Sequence, residues 1–446
     1  MSLTFAVRNL AQGGTMLSRE ENEILTRVGP GTPMGELMRR YWVPAALSRE
    51  LPEPDCPPVR VKLLGENLVA FCDTSDRLGL VDEFCPHRRA SLFLGRNEED
   101  GLRCVYHGWK FDVAGNCIDM LNLPLDSKFK TKIRLKAYPT VEIGGIIWAH
   151  LGSPEKRPPL PLFEWTQLPE THRFVQKAWE ECNWLQAMEG GIDAAHAPIL
   201  HRAINPNTRE PGGFRGMRTK LGFETTEEVM PTDHGVMSAR FRNMSDNKVW
   251  VRINQYVTPF HTFFPAEIYD PKSEGSIEYT PFINGHIFVP MDDENTMTYN
   301  WIGRFAGEPF SDAEIAEHER SKGRGQGELM PNFRKKRNKD CDWLIDRQLQ
   351  KTETYTGIAG NHNQDHAVQE SMGPIVDRTQ EHLCDTDLQI ILARKFLLEA
   401  VRMVQEGREP RGVQPSYYTV RATERVLEDG TRWRETLRYL SNPIKP

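Results

Sequence analysis

The pattern of apolar and polar positions divides the chain into a short helical opening, a β-rich stretch and a longer mixed region. Ser18-Arg19-Glu20-Glu21 opens a helix, with Ser18 at the N-cap and Glu21 three residues on, the spacing of a capping box. Gly29-Pro30-Gly31 ends it, and 34–42 reads as a second short helix with a basic rim at Arg39 and Arg40. From Val59 the period shortens: 59–64, 68–72 and 78–81 are β-runs separated by Gly, Asp and Ser turns. An N-terminal helical segment is therefore expected over 1–47, beginning with a loose arm, and a small β domain over 48–160. The proline-rich stretch Glu155-Lys156-Arg157-Pro158-Pro159-Leu160-Pro161 closes that domain. A third region spans 161–446, with a strand at 173–181 and a helix at 183–197. Its β-rich runs at 219–229, 236–242, 249–257, 277–289 and 297–305 point to one antiparallel sheet. Residues 312–320 and 387–405 are helical, the second with an apolar stripe (Leu388, Ile391, Leu392, Leu398, Val401) suited to packing on that sheet. The basic, glycine-rich stretch 323–339 is expected as a solvated loop, and 417–423 with 433–439 as a last β pair. The fold class is α+β: an all-β N-terminal domain, then a C-terminal domain whose antiparallel sheet is covered by helices.

With 446 residues, 39% of them hydrophobic, the chain suits a globular protein with more than one core. A net charge of -6 spread along the chain argues against a nucleic-acid partner. No run of about 18 apolar residues occurs, so no membrane-spanning helix is expected. Residues 1–15 carry Arg8 and no sustained apolar core, so no secretory leader is expected either. Cys56, Cys72, Cys117, Cys182, Cys341 and Cys384 show no pairing pattern, which suits reduced thiols in a cytoplasmic protein.

Chemistry concentrates in two places. The first reads Cys85-Pro86-His87, then sixteen residues from Arg88 to Arg103, then Cys104-Val105-Tyr106-His107-Gly108-Trp109. These C-x-H and C-x2-H pairs, on two hairpin-like loops, offer one thiolate and one imidazole each. A Rieske-type [2Fe-2S] cluster takes two thiolates on one iron and two imidazoles on the other, and its neutral imidazoles make it easier to reduce than an all-cysteine cluster. The alternative is a structural zinc site, but zinc fingers pair C-x2-4-C with H-x3-5-H and do not mix the two residue types.

The second is Asp193-Ala194-Ala195-His196-Ala197-Pro198-Ile199-Leu200-His201. On a helix Asp193 and His196 share a face. His196 and His201, five apart, stand about 140° out of register. Pro198 has no N–H for the Ala194 carbonyl, so the helix bends or ends there and His201 can swing back beside His196. Two histidines and a carboxylate on one face leave open positions on Fe(II) for dioxygen and substrate. Asn363-Gln364-Asp365 offers Asp365 as the carboxylate.

Taken with 20–42, 84–112, 182–201, 360–365 and Met372-Gly373-Pro374-Ile375-Val376-Asp377-Arg378-Thr379, these residues resemble the oxygenase (alpha) component of Rieske non-haem iron aromatic ring-hydroxylating oxygenases, most closely the phthalate 4,5-dioxygenase group. The resemblance implies Cys85, His87, Cys104 and His107 as cluster ligands and His196, His201 and Asp365 as ligands of a mononuclear Fe(II). It makes Asp193 the acid that bridges His196 of its own chain and His107 of the partner subunit, which implies a homotrimer or stacked hexamer. Asn183 matches a residue near the iron that is not a tight ligand. Arg252 falls on a strand where that group carries a carboxylate-binding arginine, with Arg215 and Arg218 as further candidates, although 202–242 departs from the phthalate enzymes.

The function implied is a terminal oxygenase that uses O2 to cis-dihydroxylate an aromatic carboxylate of the phthalate or benzoate class. The alternative within the same chemistry is a monooxygenase that removes O- or N-alkyl groups. No G-x-G-x-x-G follows a strand, so electrons should come from a separate NAD(P)H-dependent reductase of flavin and iron–sulfur type. A plain electron-transfer Rieske protein would need only about 100–150 residues. Neither it nor a redox-silent zinc protein explains His196, His201 and Asp365.

Overall fold

The computed structural model describes residues 16–124, 126–205, 226–244, 247–265, 282–414 and 420–433. The expected candidates Arg215 and Arg218, and parts of the β-runs at 219–229, 277–289, 417–423 and 433–439, lie outside them. The chain forms two compact units. One comprises Arg27–Pro161 with Val289–Asp293, and the other 16–26, 162–288 and the chain from 294 onward.

Helix α1 (Arg19–Thr26) opens with the expected capping box: Ser18 Oγ accepts from the Glu21 N–H at 3.1 Å, and the Glu21 carboxylate accepts from the Ser18 N–H at 2.9 Å. Helix α2 (Pro33–Met38) is shorter than expected, and Trp42 begins a strand, β1 (Trp42–Leu47). Pro44 explains the change. It has no N–H to give a helix, and on an edge strand with a register slip between Pro44 and Ala46 none is required.

The smaller unit holds three antiparallel sheets. β1 pairs with β11 (Ile146–His150), which pairs with β10 (Thr140–Ile143). The second sheet runs β2 (Val59–Leu63), β3 (Glu66–Cys72), β4 (Leu78–Asp82), β9 (Ala137–Tyr138). The third runs β5 (Arg96–Glu98), β6 (Gly101–Arg103), β7 (Trp109–Phe111), β8 (Cys117–Met120). Val69, Phe71 and Val81 meet Leu102, Phe111 and Met120 in one core that also takes in Cys85 and Cys104.

The larger unit is built on an eight-stranded sheet in the order β12 (Arg173–Glu180), β18 (Thr296–Arg304), β17 (Phe282–Pro290), β16 (His261–Pro265), β15 (Lys248–Val257), β14 (Gly235–Asn243), β13 (Thr226–Pro231), with β19 (Thr423–Glu428) also on β15. Alternation along β14 and β15 sends Met237, Ala239, Val251 and Ile253 into a core closed by Trp433. Among the described residues its further α-helices are α3 (Trp184–Ile192), α4 (Ala197–Leu200), α5 (Asp312–Lys322), α6 (Arg347–Thr352), α7 (Asn361–Ser371) and α8 (Leu388–Gln405). Of its stripe α8 buries Leu388, Leu392 and Val401 and leaves Ile391 and Leu398 half-buried, and it packs on β13 and β14, and also on α1 and α3.

Helix α3 is fixed from two sides. Its buried Glu189 takes Arg378 at 2.9 Å and Arg394 at 2.5 Å. Opposite, a Cβ at Gly190 would lie 1.7 Å from Gln369 Nε2, and one at Gly191 2.4 Å from the Phe288 ring. The loop expected to be solvated is so only in part: Gln326, Gly327, Pro331, Asn332, Lys336 and Lys339 are exposed, but Arg324, Lys335 and Asn338 are buried, and Trp179 of β12 donates its N–H to the Phe333 carbonyl. Two of its arginines find carboxylates in the fold, Arg324 with Glu319 at 2.6 Å and Arg334 with Glu181 at 2.9 Å, and composition alone does not reveal that.

Candidate metal centres

The two loops of the smaller unit are copies of one turn. The Cys85 N–H donates to the Ala90 carbonyl and the Arg89 N–H to the Cys85 carbonyl. The Cys104 N–H donates to the Trp109 carbonyl and the Gly108 N–H to the Cys104 carbonyl. The residue four after each cysteine takes positive φ, 61° at Arg89 and 74° at Gly108. Glycine is needed only in the second turn, where a Cβ would lie 2.6 Å from Leu121. The turns bring the imidazoles of His87 and His107 to 4.4 Å between centroids, and Trp109 stacks on His87 at 4.4 Å and 11°. Burial, with the Cys104 thiol in hydrogen-bonding reach, pushes the Cys85 thiol up. His87 Nδ1 is buried without a hydrogen-bond partner. Paired buried thiols and an unpartnered imidazole nitrogen suit a cluster whose positive charge displaces the thiol protons.

In the larger unit one ligand atom from each of His196, His201 and Asp365 lies within 4.8 Å of the other two. The helix breaks earlier than Pro198. Asp193 caps the end of α3 in extended conformation (φ -70°, ψ 113°), and Pro198 sits in the first turn of α4. The break turns both Nε2 atoms toward Asp365 Oδ1, at 3.4 Å from His196 and 3.1 Å from His201. Each Nδ1 is held from behind: His196 by Asp193 Oδ2 at 3.2 Å, His201 by Gln364 Oε1 at 2.6 Å. Gln364 Nε2 donates to the Ile358 carbonyl, which fixes its amide. Such outer partners set the tautomer that offers Nε2 to a metal.

Burial alone would lower His196, but the carboxylates of Asp193 and Asp365 outweigh it and raise it to about 10. Burial keeps His201 below its ordinary value. Asp365 is buried, which opposes its charge, yet the two imidazoles hold it well below the carboxylate range. A divalent cation would replace the proton shared by this triad, and the donor set fits Fe(II) with open positions.

The triad opens into a cavity of about 1110 Å³, mouth included. Arg240, Arg242, Trp250, Arg252 and Asn254 line it from alternate positions of β14 and β15, with Phe264, His286 and His362. Arg240 pairs with Glu227 at 3.2 Å. Arg252 pairs with Glu424 at 3.2 Å and donates to the Pro265 carbonyl at 3.3 Å. Arg242 is buried, and its Nε and Nη1 make no hydrogen bond among the described residues. Burial and the charges of Arg240 and Arg252 lower it to about 10, still a cation at neutral pH.

Asn183 is a correction. Its Oδ1 accepts from the Leu185 N–H at 3.0 Å and its Nδ2 donates to the Thr26 carbonyl at 2.9 Å, capping the start of α3. The ten residues from there to Asp193 span about 15 Å of helix, too far to stand beside the triad. Gln364, Arg242, His286 and His362 were not singled out from sequence. Arg242 carried a signal: Ser238, Arg240 and Arg242 alternate with apolar residues, a pattern equally fit for a solvent face.

Among the described residues no helix is long and apolar enough to cross a membrane. Residues 41–138 match the Rieske [2Fe-2S] domain family, and 149–441 match the family described as LigXa C-terminal domain like. The chain is 36% identical to the 3-chlorobenzoate-3,4-dioxygenase oxygenase subunit of Comamonas testosteroni, over 94% of this chain and 97% of that one. It is 37% identical to the phthalate 4,5-dioxygenase oxygenase subunit of Pseudomonas putida, over 89% of each. The terminal oxygenase of carbazole 1,9a-dioxygenase from Nocardioides aromaticivorans IC177 shares the fold, with a TM-score of 0.55 and 17% identity over 86% of this chain and 97% of that one. With a Rieske domain and a catalytic domain joined in one chain, the protein belongs to the Rieske non-haem iron aromatic ring-hydroxylating oxygenases, as an oxygenase component of the phthalate 4,5-dioxygenase-like group.

Proposed function

We propose that this oxygenase cis-dihydroxylates an aromatic carboxylate of the benzoate or phthalate class. The observation that carries the reading is the guanidinium of Arg242, which lies over the Trp250 ring at 5.2 Å and whose Nε and Nη1 make no hydrogen bond among the described residues, in the cavity beside His196, His201 and Asp365. Of the three strand arginines, Arg240 and Arg252 each pair with a carboxylate and Arg242 pairs with none among the described residues, so a substrate carboxylate would complete it. Trp250 and Phe264 give the ring apolar walls. Arg252, the sequence candidate, takes a supporting role by neutralising Glu424.

Cys85, His87, Cys104 and His107 would hold the [2Fe-2S] cluster, and His196, His201 and Asp365 the mononuclear iron. When bound, these groups supply single electrons and a site for dioxygen, so that O2, two electrons and two protons add across a ring double bond. Asp193 and Gln364 keep both imidazoles in the ligating tautomer. Asp193 is half-buried, and in this reading its carboxylate also accepts from His107 of the partner subunit in a homotrimer. The electrons come from a separate NAD(P)H-dependent reductase.

The test is a single turnover. Iron-loaded protein is reduced chemically and given O2 with benzoates, phthalate isomers, aryl ethers and N-methyl arylamines, and the products are weighed. A diol from an aromatic acid supports the reading. Loss of an alkyl group moves the protein to dealkylation, and turnover of uncharged rings in preference to acids removes the role of Arg242.

A further inference from the structure

Two histidines in the cavity wall are not needed to hold either metal group. His286, on β17, and His362, in the first turn of α7, stand with ring centroids 4.9 Å apart and planes at 61°. Both line the cavity that Asp365 closes. Their neighbours fix their tautomers in opposite senses. Asn300 Nδ2 donates to the Thr298 carbonyl at 3.0 Å, so its Oδ1 must be the atom 2.6 Å from His286 Nδ1. His286 therefore carries its proton on Nδ1 and offers a bare Nε2. His362 Nδ1 faces a guanidinium nitrogen of Arg324, which can only donate. His362 therefore carries its proton on Nε2. Arg324 cannot turn away, because its Nε and Nη2 are forked onto Glu319 at 3.0 and 2.6 Å.

The two Nε2 atoms make no hydrogen bond among the described residues. The cavity thus presents one donor and one acceptor side by side. Burial, reinforced by the Arg324 charge, holds both imidazoles below their ordinary values, so both stay neutral. We propose that His286 and His362 form a subsite that reads a hydroxyl on the aromatic substrate, His362 Nε2–H donating to its oxygen and His286 Nε2 accepting its hydrogen. An ether or carbonyl could take the His362 proton but would leave His286 unpaired, and an ammonium could serve only His286. A hydroxyl satisfies both with one atom. This rests on the reading that the substrate is aromatic and adds the substituent the cavity selects.

Binding measured by calorimetry on the iron-loaded protein, without oxygen or reductant, tests the subsite apart from turnover. The probes are benzoate, the three hydroxybenzoates, their methyl ethers, phenol and anisole. At least one hydroxybenzoate should bind about tenfold tighter than its methyl ether and than benzoate. That gap should close in His286→Leu and also in Asn300→Leu, which keeps both imidazoles but frees the His286 proton to move. Circular dichroism and the cluster absorbance check that each variant is folded. Acids that bind with no preference for a hydroxyl overturn the subsite and leave the aromatic-acid reading standing. Phenol held more tightly than anisole, with no acid bound, keeps the subsite and removes the carboxylate. No binding by any probe overturns both.

Discussion

The carboxylate of Asp193 stays 3.2 Å from Nδ1 of His196 across a break in the helix. One residue is the extended cap of α3 and the other the cap of α4, so the bond is made by the break and not by a shared helical face. The Asp193 carboxylate also takes the Ala195 N–H at 2.6 Å, which fixes its direction. Asp193 is thereby a rigid acceptor behind His196, and its side chain remains 22% exposed.

Asp193→Asn should keep both metal groups and lose their communication. Iron content and the electron paramagnetic signal of the reduced cluster should match the parent. Stopped-flow re-oxidation of the cluster in the presence of substrate and O2 should slow by at least about 100-fold. Parental re-oxidation coupled to product would remove Asp193 from the electron path.

Gln364 holds His201 as Asp193 holds His196, and its loss should act on the metal alone. Gln364→Leu should weaken mononuclear iron binding about 10- to 100-fold, read as iron lost on dialysis against a chelator, while cluster absorbance is unchanged. Gln364→Glu keeps an acceptor for His201 Nδ1 and should restore most of the affinity. Equal iron retention in the Leu variant would show that the Gln364 bond is incidental.

The two cavity arginines should fail in opposite ways. Arg242→Met removes a buried cation that has no carboxylate partner among the described residues and keeps an apolar chain against Trp250, so folding should be unharmed, while KM for an aromatic acid rises about 10- to 100-fold through the lost charged hydrogen bonds. Arg252→Met strands the buried Glu424, and leaving one partner of such a pair costs about 3–5 kcal/mol, read as a lower Tm. Parental KM in the Arg242 variant would argue that the substrate carries no carboxylate there.

Glu180 lies fully buried on β12, and burial with the neighbouring Glu370 raises its pKa above the ordinary carboxylate range. The folded chain then binds more protons at this position than the unfolded chain once pH exceeds 4.5, so Glu180 withdraws stability as pH rises from there through its raised value. Glu180→Gln can still accept from Thr298 and removes that dependence. The variant's advantage in Tm over the parent should grow between pH 5 and pH 9. A constant difference would mean that Glu180 titrates normally.

How much of this was legible in the sequence depends on how local each feature is. Cys85, His87, Cys104 and His107 are legible because each pair sits within one turn, and the turn fixes which residue types fit. The kinship of His196 and His201 is legible from Pro198, but the position of the break is not. It is set by the packing of Gly190 against Gln369 and of Gly191 against Phe288, contacts that come from other parts of the fold, together with the local bond from the Ala195 N–H to Asp193. Asp365 is legible only as one carboxylate on offer, which the resemblance then singles out, since nothing near it in sequence marks it as a partner of residues 164 positions upstream or more. The arginines of β14 and β15 follow the alternation of a strand with one polar face, and only the fold tells a cavity from bulk solvent. The loop 323–339 misled for the same reason: its cations meet Glu319 and Glu181, which no local pattern announces.

The central claim is that both atoms of O2 enter an aromatic acid bound at the His196, His201 and Asp365 site. The most direct measurement is a single turnover of chemically reduced, iron-loaded protein under 18O2, with mass analysis of the product. A diol carrying two 18O atoms and two added hydrogens is the predicted result. A dealkylated product with one 18O, or oxidation of the cluster with no 18O in any organic product, would contradict it.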